Sequence, residues 1–329
     1  VKRKKKTYTL RELIDEVYMP WALTHIQRAT DTEKRMKHSL AELLDVKITE
    51  LSSWHVEKWK TSRLKLGLKK TSINRELNDL KACISKAVTW GLLPENPLRE
   101  TKRFREDSNP IVRFLSNDEE KRLKQALHDR ETKIRKGRES GNKWRSERGR
   151  ELKPEFINQQ FVDHLMPMVL LSLNTGLRQG ELFSLDWVDI NLDQGHLTVH
   201  GYNAKSGKTR HIPLNDDAEA VLKHWKQQVD ESKGLVFKSQ DGGQFNNVRK
   251  AWLTLLEDAE ITEFRWHDMR HHFASRLVMS SVDLNTVREL LGHSDYKMTL
   301  RYAHLAPEAK KAAVQRLVSH GQVIDLPEK

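Results

Sequence analysis

Arg178, Glu181, Lys205, His267, Arg270, His293 and Tyr302 follow one another along the C-terminal half of the chain. Together they offer what breaking a phosphodiester without a metal requires: a nucleophile, cations around the non-bridging oxygens and a proton for the leaving oxygen. Arg178 closes the glycine turn Asn174-Thr175-Gly176-Leu177-Arg178, and its planar fork could contact two phosphate oxygens. Glu181, one helical turn on, would orient it. Taken singly, each residue has a plainer reading. Arg178 with Glu181 reads as a surface pair at a helix start, Arg270 as a surface cation, Lys205 as a solvated turn lysine and Tyr302 as a half-buried structural tyrosine. His267 and His271 lie four apart on one helical face, but the glutamate of a zinc HExxH site is missing and no third ligand is evident. No metal and no cofactor are therefore expected, and His271 and His272 are left to packing or hydrogen bonding.

The elements that must position these residues follow from periodicity. At 329 residues the chain is long enough for about two domains. Residues 1–6 are a basic arm or linker stub, and helical stripes such as Leu10, Leu13, Ile14, Val17 and Tyr18, or Ile73, Leu77, Leu80, Ile84 and Val88, predict an all-helical unit over 7–100. Short helices are expected around Leu40–Leu44 and over Thr49–Trp59. Pro94 and Pro97 break the pattern, a linker covers 101–107, and a second domain with a C-terminal tail helix covers 108–329. Its first helix is capped at Ser116. Residues 130–153, with ten Lys/Arg against four Glu, read as a solvated surface loop. A buried helix over Phe161–Leu173 is followed by β-type pieces at Trp187–Leu192, His196–Val199 and His211–Leu214, a small antiparallel sheet. Helical spacing returns at Ala218–Val229, Val248–Glu257, Met269–Met279, Leu284–Leu291 and Glu308–Val318. The expected fold is mainly α: an all-helical domain plus an α+β domain with a small sheet.

The net charge of +12 points to a polyanionic partner, without separating DNA from RNA or an anionic membrane. No apolar run approaches a spanning helix, and the N-terminus lacks a signal-peptide core, so a soluble cytosolic protein is expected. Cys83 is the only cysteine, which rules out an intrachain disulfide and a multi-thiolate zinc site.

With these residues in view, the chain resembles the tyrosine recombinase (phage integrase) family. Its motifs appear as Thr175-Gly176-Leu177-Arg178-Gln179-Gly180-Glu181-Leu182, His267-Asp268-Met269-Arg270, Leu290-Leu291-Gly292-His293 and Tyr302. Each motif alone is weak, whereas the ordered set is specific. The likeness covers nearly the whole chain, since residues 7–97 look like the family's core-binding domain. The resemblance implies site-specific recombination of duplex DNA through a 3′-phosphotyrosyl intermediate, integrating or excising a phage or other mobile element. It makes Tyr302 the nucleophile and has Arg178 and Arg270 clamp the scissile phosphate. His267 would hold the phosphate or the tyrosine proton, and His293 would donate to a non-bridging oxygen. Lys205 would protonate the departing 5′ oxygen, with Lys208 as fallback. Lys58, Lys60, Arg63, Lys65, Lys69, Lys70 and Arg75, around Gly67, would complete a C-shaped clamp on DNA. The implied partners are double-stranded attachment sites, other copies in a homotetramer joined through the tail helix, and accessory DNA-bending proteins, in a bacterial cytoplasm and without a membrane. The start at Val1 in a lysine run suggests an upstream arm-binding domain. The competing readings are a type IB topoisomerase-like enzyme and a non-catalytic architectural DNA-binding protein.

Overall fold

The computed structural model describes residues 7–26, 28–106, 112–157, 159–201, 207–229, 233–306 and 314. The chain divides into two compact units, Val1–Ser108 and Asn109–Lys329.

The first unit is helical. Thr9 opens it with a reciprocal cap: its hydroxyl accepts from the Glu12 N–H while the Glu12 carboxylate accepts from the Thr9 N–H. α1 (Leu10–Glu12) runs through a π-helical stretch, Leu13–Tyr18, into α2 (Met19–His25). α3 (Ala29–Ser39), α4 (Ser53–Lys65) and α5 (Lys70–Thr89) complete the unit. Leu10, Leu13, Ile14 and Tyr18 share one core with Ile73, Leu77, Leu80, Cys83 and Ile84. Two boundaries differ from the sequence expectation. The helix expected at Thr49–Trp59 starts at Ser53, because the Ile48 N–H is taken by the Tyr8 carbonyl at 2.9 Å and the Leu51 N–H by Lys47 at 3.0 Å, which commits 47–51 to a turn. Over Thr101–Glu106, the expected linker is a strap. Lys81 holds the Thr101 carbonyl at 2.5 Å, Lys60 holds that of Lys102 at 2.9 Å, and the Asn74 amide clasps both backbone groups of Phe104.

In the second unit the largest departure is at 130–153. α6 runs unbroken from Asn117 to Ser146, so the expected loop is helix as far as residue 146. Its cap is the expected Ser116, paired reciprocally with Glu119. No proline interrupts residues 111–153, and the long straight side chains there are good helix formers. What replaces an apolar stripe is polar fastening. Arg135 donates to the Phe156 and Gln159 carbonyls, Arg138 to that of Pro154, and Asn142 both gives to and takes from Lys153. The chain after α6 is thereby drawn back along the helix.

α7 (Leu165–Thr175) is the buried helix expected from its apolar run and ends at left-handed Gly176. After α8 (Gln179–Phe183), β1 (Ile190–Asn191), β2 (His196–Val199) and β3 (Arg210–Pro213) form an antiparallel sheet in the order β1-β2-β3, with Leu197 opposite Ile212 and Val199 opposite Arg210. β1 is shorter than expected because the Asp186 carboxylate caps a 3-10 turn over Trp187–Asp189. α9 (Asp216–Val229), α10 (Arg249–Asp258), α11 (Asp268–Met279), α12 (Leu284–Leu291) and α13 (Lys297–Leu300) follow. The main core gathers Leu165, Met168, Val169, Leu197, Ile212, Leu222, Phe237 and Leu255, and a smaller one joins Val112, Ala274, Val278, Val287, Leu291 and Tyr302. Residues 1–6 and, but for Val314, the tail helix expected at Glu308–Val318 lie outside the described residues. Among those described, no helix is long and apolar enough to cross a membrane.

Candidate active site

Two glycines that end helices shape the site. Gly176 (φ +63) closes α7, where a Cβ would stand 2.5 Å from the Phe273 ring. Gly292 (φ +61) closes α12, where a Cβ would stand 2.7 Å from Cδ of Arg210. Both positions demand glycine twice over, for backbone conformation and for room.

Between these helix ends sits Arg270. Its side chain is buried, with Nη1 donating to the Gly176 carbonyl at 2.8 Å and Nη2 to that of Leu291. Helix C-termini carry partial negative charge, so this cation is held by peptide dipoles. Burial first, and then the neighbouring Arg178, pull its pKa down to about 9.

Arg178 reaches Glu181 with Nη1 at 2.8 Å, and the same carboxylate caps the Arg178 backbone N–H at 2.9 Å. Glu181 is buried and has a second partner. Arg210 donates to it from Nη1 at 3.1 Å and from Nη2 at 2.7 Å, and gives Nε to the Leu290 carbonyl at 3.0 Å. Burial alone would raise the Glu181 pKa; the bonds and charge of Arg210, joined by Arg178, hold it at about 2.

α11 starts where Asp268, itself buried, receives the Arg265 N–H at 2.7 Å and its guanidinium at 2.8 Å. That start sets His267, Arg270 and His271 on one face. His267 is exposed at the rim, its ring edge-on to that of His271 with centroids 5.1 Å apart. Nδ1 of His271 lies 2.6 Å from the Tyr302 hydroxyl. Tyr302 is 1 % exposed, and burial pushes its pKa up to about 12 although Arg270 and Arg301 act the other way. Burial and then His267 push His271 down to about 4. His293, just past Gly292, pairs Nδ1 with the Thr299 hydroxyl at 2.9 Å; burial, Arg270 and Arg178 push it to about 3, so it is neutral near pH 7.

Arg178, His267, Arg270, His271, His293, Arg301 and Tyr302 thus line one cleft of about 440 Å³. Glu181 stands behind it. Lys205 lies outside the described residues, and Lys208, exposed, is not part of the cleft lining. Among the described residues no group of His, Cys, Asp and Glu could hold a metal ion. His272 is structural, its Nδ1 accepting the Leu115 N–H at 3.3 Å and its Nε2 lying 3.5 Å from Glu120.

In the first unit, Lys58, Lys65, Lys69, Lys70 and Arg75 are exposed. Lys60 and Arg63 are not. Lys60, 4 % exposed, pairs with Glu57 at 2.8 Å and lies over the Phe104 ring, and Arg63, 8 % exposed, is bidentate on Glu76 at 3.0 and 2.7 Å. Their charges are consumed inside the fold.

Arg210, Thr299 and the His271 contact to Tyr302 were not anticipated from the sequence. For Arg210 a signal existed, since strand alternation that turns Ile212 inward turns Arg210 inward as well.

The model of the phage integrase family matches residues 152–309. An integrase of Salmonella phage P22 is 35% identical over 173 residues, a stretch that spans 49% of this chain and 42% of that protein's own length. The structure is similar to that of the Tn1549 transposon integrase in complex with a circular intermediate DNA, with a TM-score of 0.69 and 19% identity over 94% of this chain and 99% of that one. It is also similar to a lambda integrase tetramer bound to a Holliday junction, with a TM-score of 0.64 and 18% identity over 98% of this chain and 81% of that one. At these identities the structural likeness establishes the shared fold.

Proposed function

Since the chain belongs to the phage integrase family of tyrosine recombinases, we propose that it cleaves and rejoins duplex DNA at specific attachment sites, integrating or excising a phage or other mobile element. Tyr302 attacks the scissile phosphorus, its O–P bond forms as the bond to the 5′ oxygen breaks, and a 3′-phosphotyrosyl link results. Arg178 and Arg270 hold the non-bridging oxygens, where charge builds in the transition state. His267 reaches the phosphate from the rim. If the Thr299 hydroxyl donates to Nδ1 of His293, Nε2–H of that ring is left to donate to a phosphate oxygen. His271 is the group on Tyr302, so it takes the phenol proton. Lys205 supplies the proton of the departing 5′ oxygen, as the developing alkoxide is far more basic than an amine. Because a phenolate leaves readily, reversal rejoins the strand without ATP.

The observation that carries this reading is the Tyr302 hydroxyl on the wall of a cleft lined by Arg178, Arg270 and His293. The exposed Lys58, Lys65, Lys69, Lys70 and Arg75 are assigned to the DNA backbone. A homotetramer on DNA, joined through the tail, belongs to the same proposal, supported by the likeness to the lambda integrase tetramer. DNA-bending accessory proteins and a bacterial cytoplasmic setting extend it. Incubation with a nicked duplex carrying an attachment site tests the chemistry. The wild type should yield a covalent protein–DNA adduct, and Tyr302→Phe should bind the duplex but yield none; an adduct that survives in Tyr302→Phe moves the nucleophile elsewhere.

A further inference from the structure

The second half of α6 sorts its cations by type. The arginines face inward: Arg130 is bidentate on Asp163, Arg135 and Arg138 hold backbone carbonyls, and Arg145 holds that of Glu151 at 3.3 Å. Lys133, Lys136 and Lys143, three and seven residues apart, are exposed; Lys136 and Lys143 lie on the side away from these arginines, while Lys133 borders the hollow against α10 that Asp129, Arg130 and Asp258 also line. No carboxylate pairs with any of the three among the described residues. Asp129 and Glu147 flank this stripe, and Glu147 is already engaged by Arg148 at 3.6 Å. At the tip Trp144, 44% exposed, lies beneath the guanidinium groups of Arg148 and Arg150 at 4.6 and 4.8 Å.

We propose that the outer face of α6 is a second, sequence-independent contact to duplex DNA, distinct from the cleavage cleft. The proposal rests on the recombinase reading above. Planar arginines suit fixed carbonyl acceptors and fasten the arm, whereas lysines are mobile point charges that accept any phosphate within reach. The stripe spans about 15 Å of helix, the axial length of about four phosphates of one strand. Between the lysines lie Gly137, Glu139 and Ser140, and Trp144 is the one large exposed apolar side chain on this half of α6, too little for a membrane-surface helix to bury. Its reach is set by the helix. Glu120, at the base of α6, faces His272 of α11, and Lys143 stands 23 residues farther along, about 35 Å. A duplex confined to the cleavage site would miss the stripe, while DNA extending about ten base pairs beyond it would not.

The test compares K133Q/K136Q/K143Q with wild type by fluorescence anisotropy across a salt series. One duplex of about 12 base pairs covers the cleavage site alone, and one of about 40 extends on both sides. Glutamine keeps helix propensity, and a circular dichroism melt reports on folding. On the long duplex the variant should lose about tenfold or more in affinity, and its log K against log salt slope should flatten by about two to three. Affinity for the short duplex and adduct formation on a short nicked duplex should not change. K133R/K136R/K143R, which keeps the charge, should restore the slope. Normal adduct formation with an unchanged long-duplex slope overturns the arm contact alone. A wild type that forms no adduct and binds neither duplex overturns the recombinase reading, and the arm contact with it.

Discussion

Replacing Arg210 by methionine isolates the buried centre of the site, because Arg210 stands behind the cleft and does not line it. The Glu181 carboxyl sits at about 2 against an ordinary 4.5. A depression of that size in a residue 4 % exposed corresponds to about 3 kcal/mol of folding free energy at neutral pH. The folded value lies below the unfolded one, so this contribution is fully present above pH 4.5 and is lost as pH falls through about 2. Without Arg210, burial dominates, the Glu181 pKa climbs and the Leu290 carbonyl loses its donor. Removing one partner of a buried pair costs about 3–5 kcal/mol. Urea unfolding of the full chain at pH 7 and pH 4 should show that loss for Arg210→Met at pH 7 and a smaller gap at pH 4. Adding Glu181→Gln should recover part of it, since the stranded charge is gone. A single variant within about 0.5 kcal/mol of wild type, or a double variant destabilised by the full sum of both, would refute the reasoning.

Gly292→Ala should lower adduct formation on a nicked duplex more than it lowers the melting temperature, because relief of the clash at 2.7 Å displaces Arg210 or His293; intact cleavage would show that the loop yields freely. Lys205→Ala should slow cleavage of ordinary DNA yet cut a substrate with sulfur at the bridging 5′ position nearly as fast as wild type, since a thiolate leaves without a proton. Rescue confined to Lys208→Ala would name the other lysine. His271→Ala should slow adduct formation by about 10²–10⁴, more than His267→Ala does; the reverse order would return the tyrosine proton to His267.

The apolar stripes made α11 and α12 readable to within a residue and placed α5 and α7, whose start at Leu165 lies four residues past the expected one, because packing against a core imposes the 3.6-residue period that a sequence displays. The second half of α6 was opaque for the converse reason. It is fastened by arginines to backbone carbonyls, and such acceptors exist at every position and leave no periodic mark. The same blindness affected Lys60 and Arg63. A cation looks identical in sequence whether it faces water or, like Arg63 of α4, a buried glutamate on the next helix. In the site, Arg178, Arg270, His293 and Tyr302 could be named because motif spacing carries them, and the structure gathers them in one cleft. Arg210 comes from a strand with no motif. His271 was left to packing or hydrogen bonding without a partner, since Tyr302 is 31 residues away and only the packing of the small core brings them together.

Arg178 and Arg210 both bond the carboxylate of Glu181, while the hydrogen bonds of Arg270 among the described residues go to peptide carbonyls, with Glu181 acting on it only through its charge. Among the described residues the site therefore holds three arginines around one carboxylate, and the charge of Arg178 works against that of the buried Arg270. Such a fold is locally frustrated, and an anion is what relieves it. On the proposed function, a phosphodiester entering the cleft would complete this arrangement, and DNA binding would then add to the domain's stability. Selection follows from the same imbalance: a backbone whose phosphate has been made neutral, with its bases unaltered, would fit the cleft and yet leave that repulsion standing.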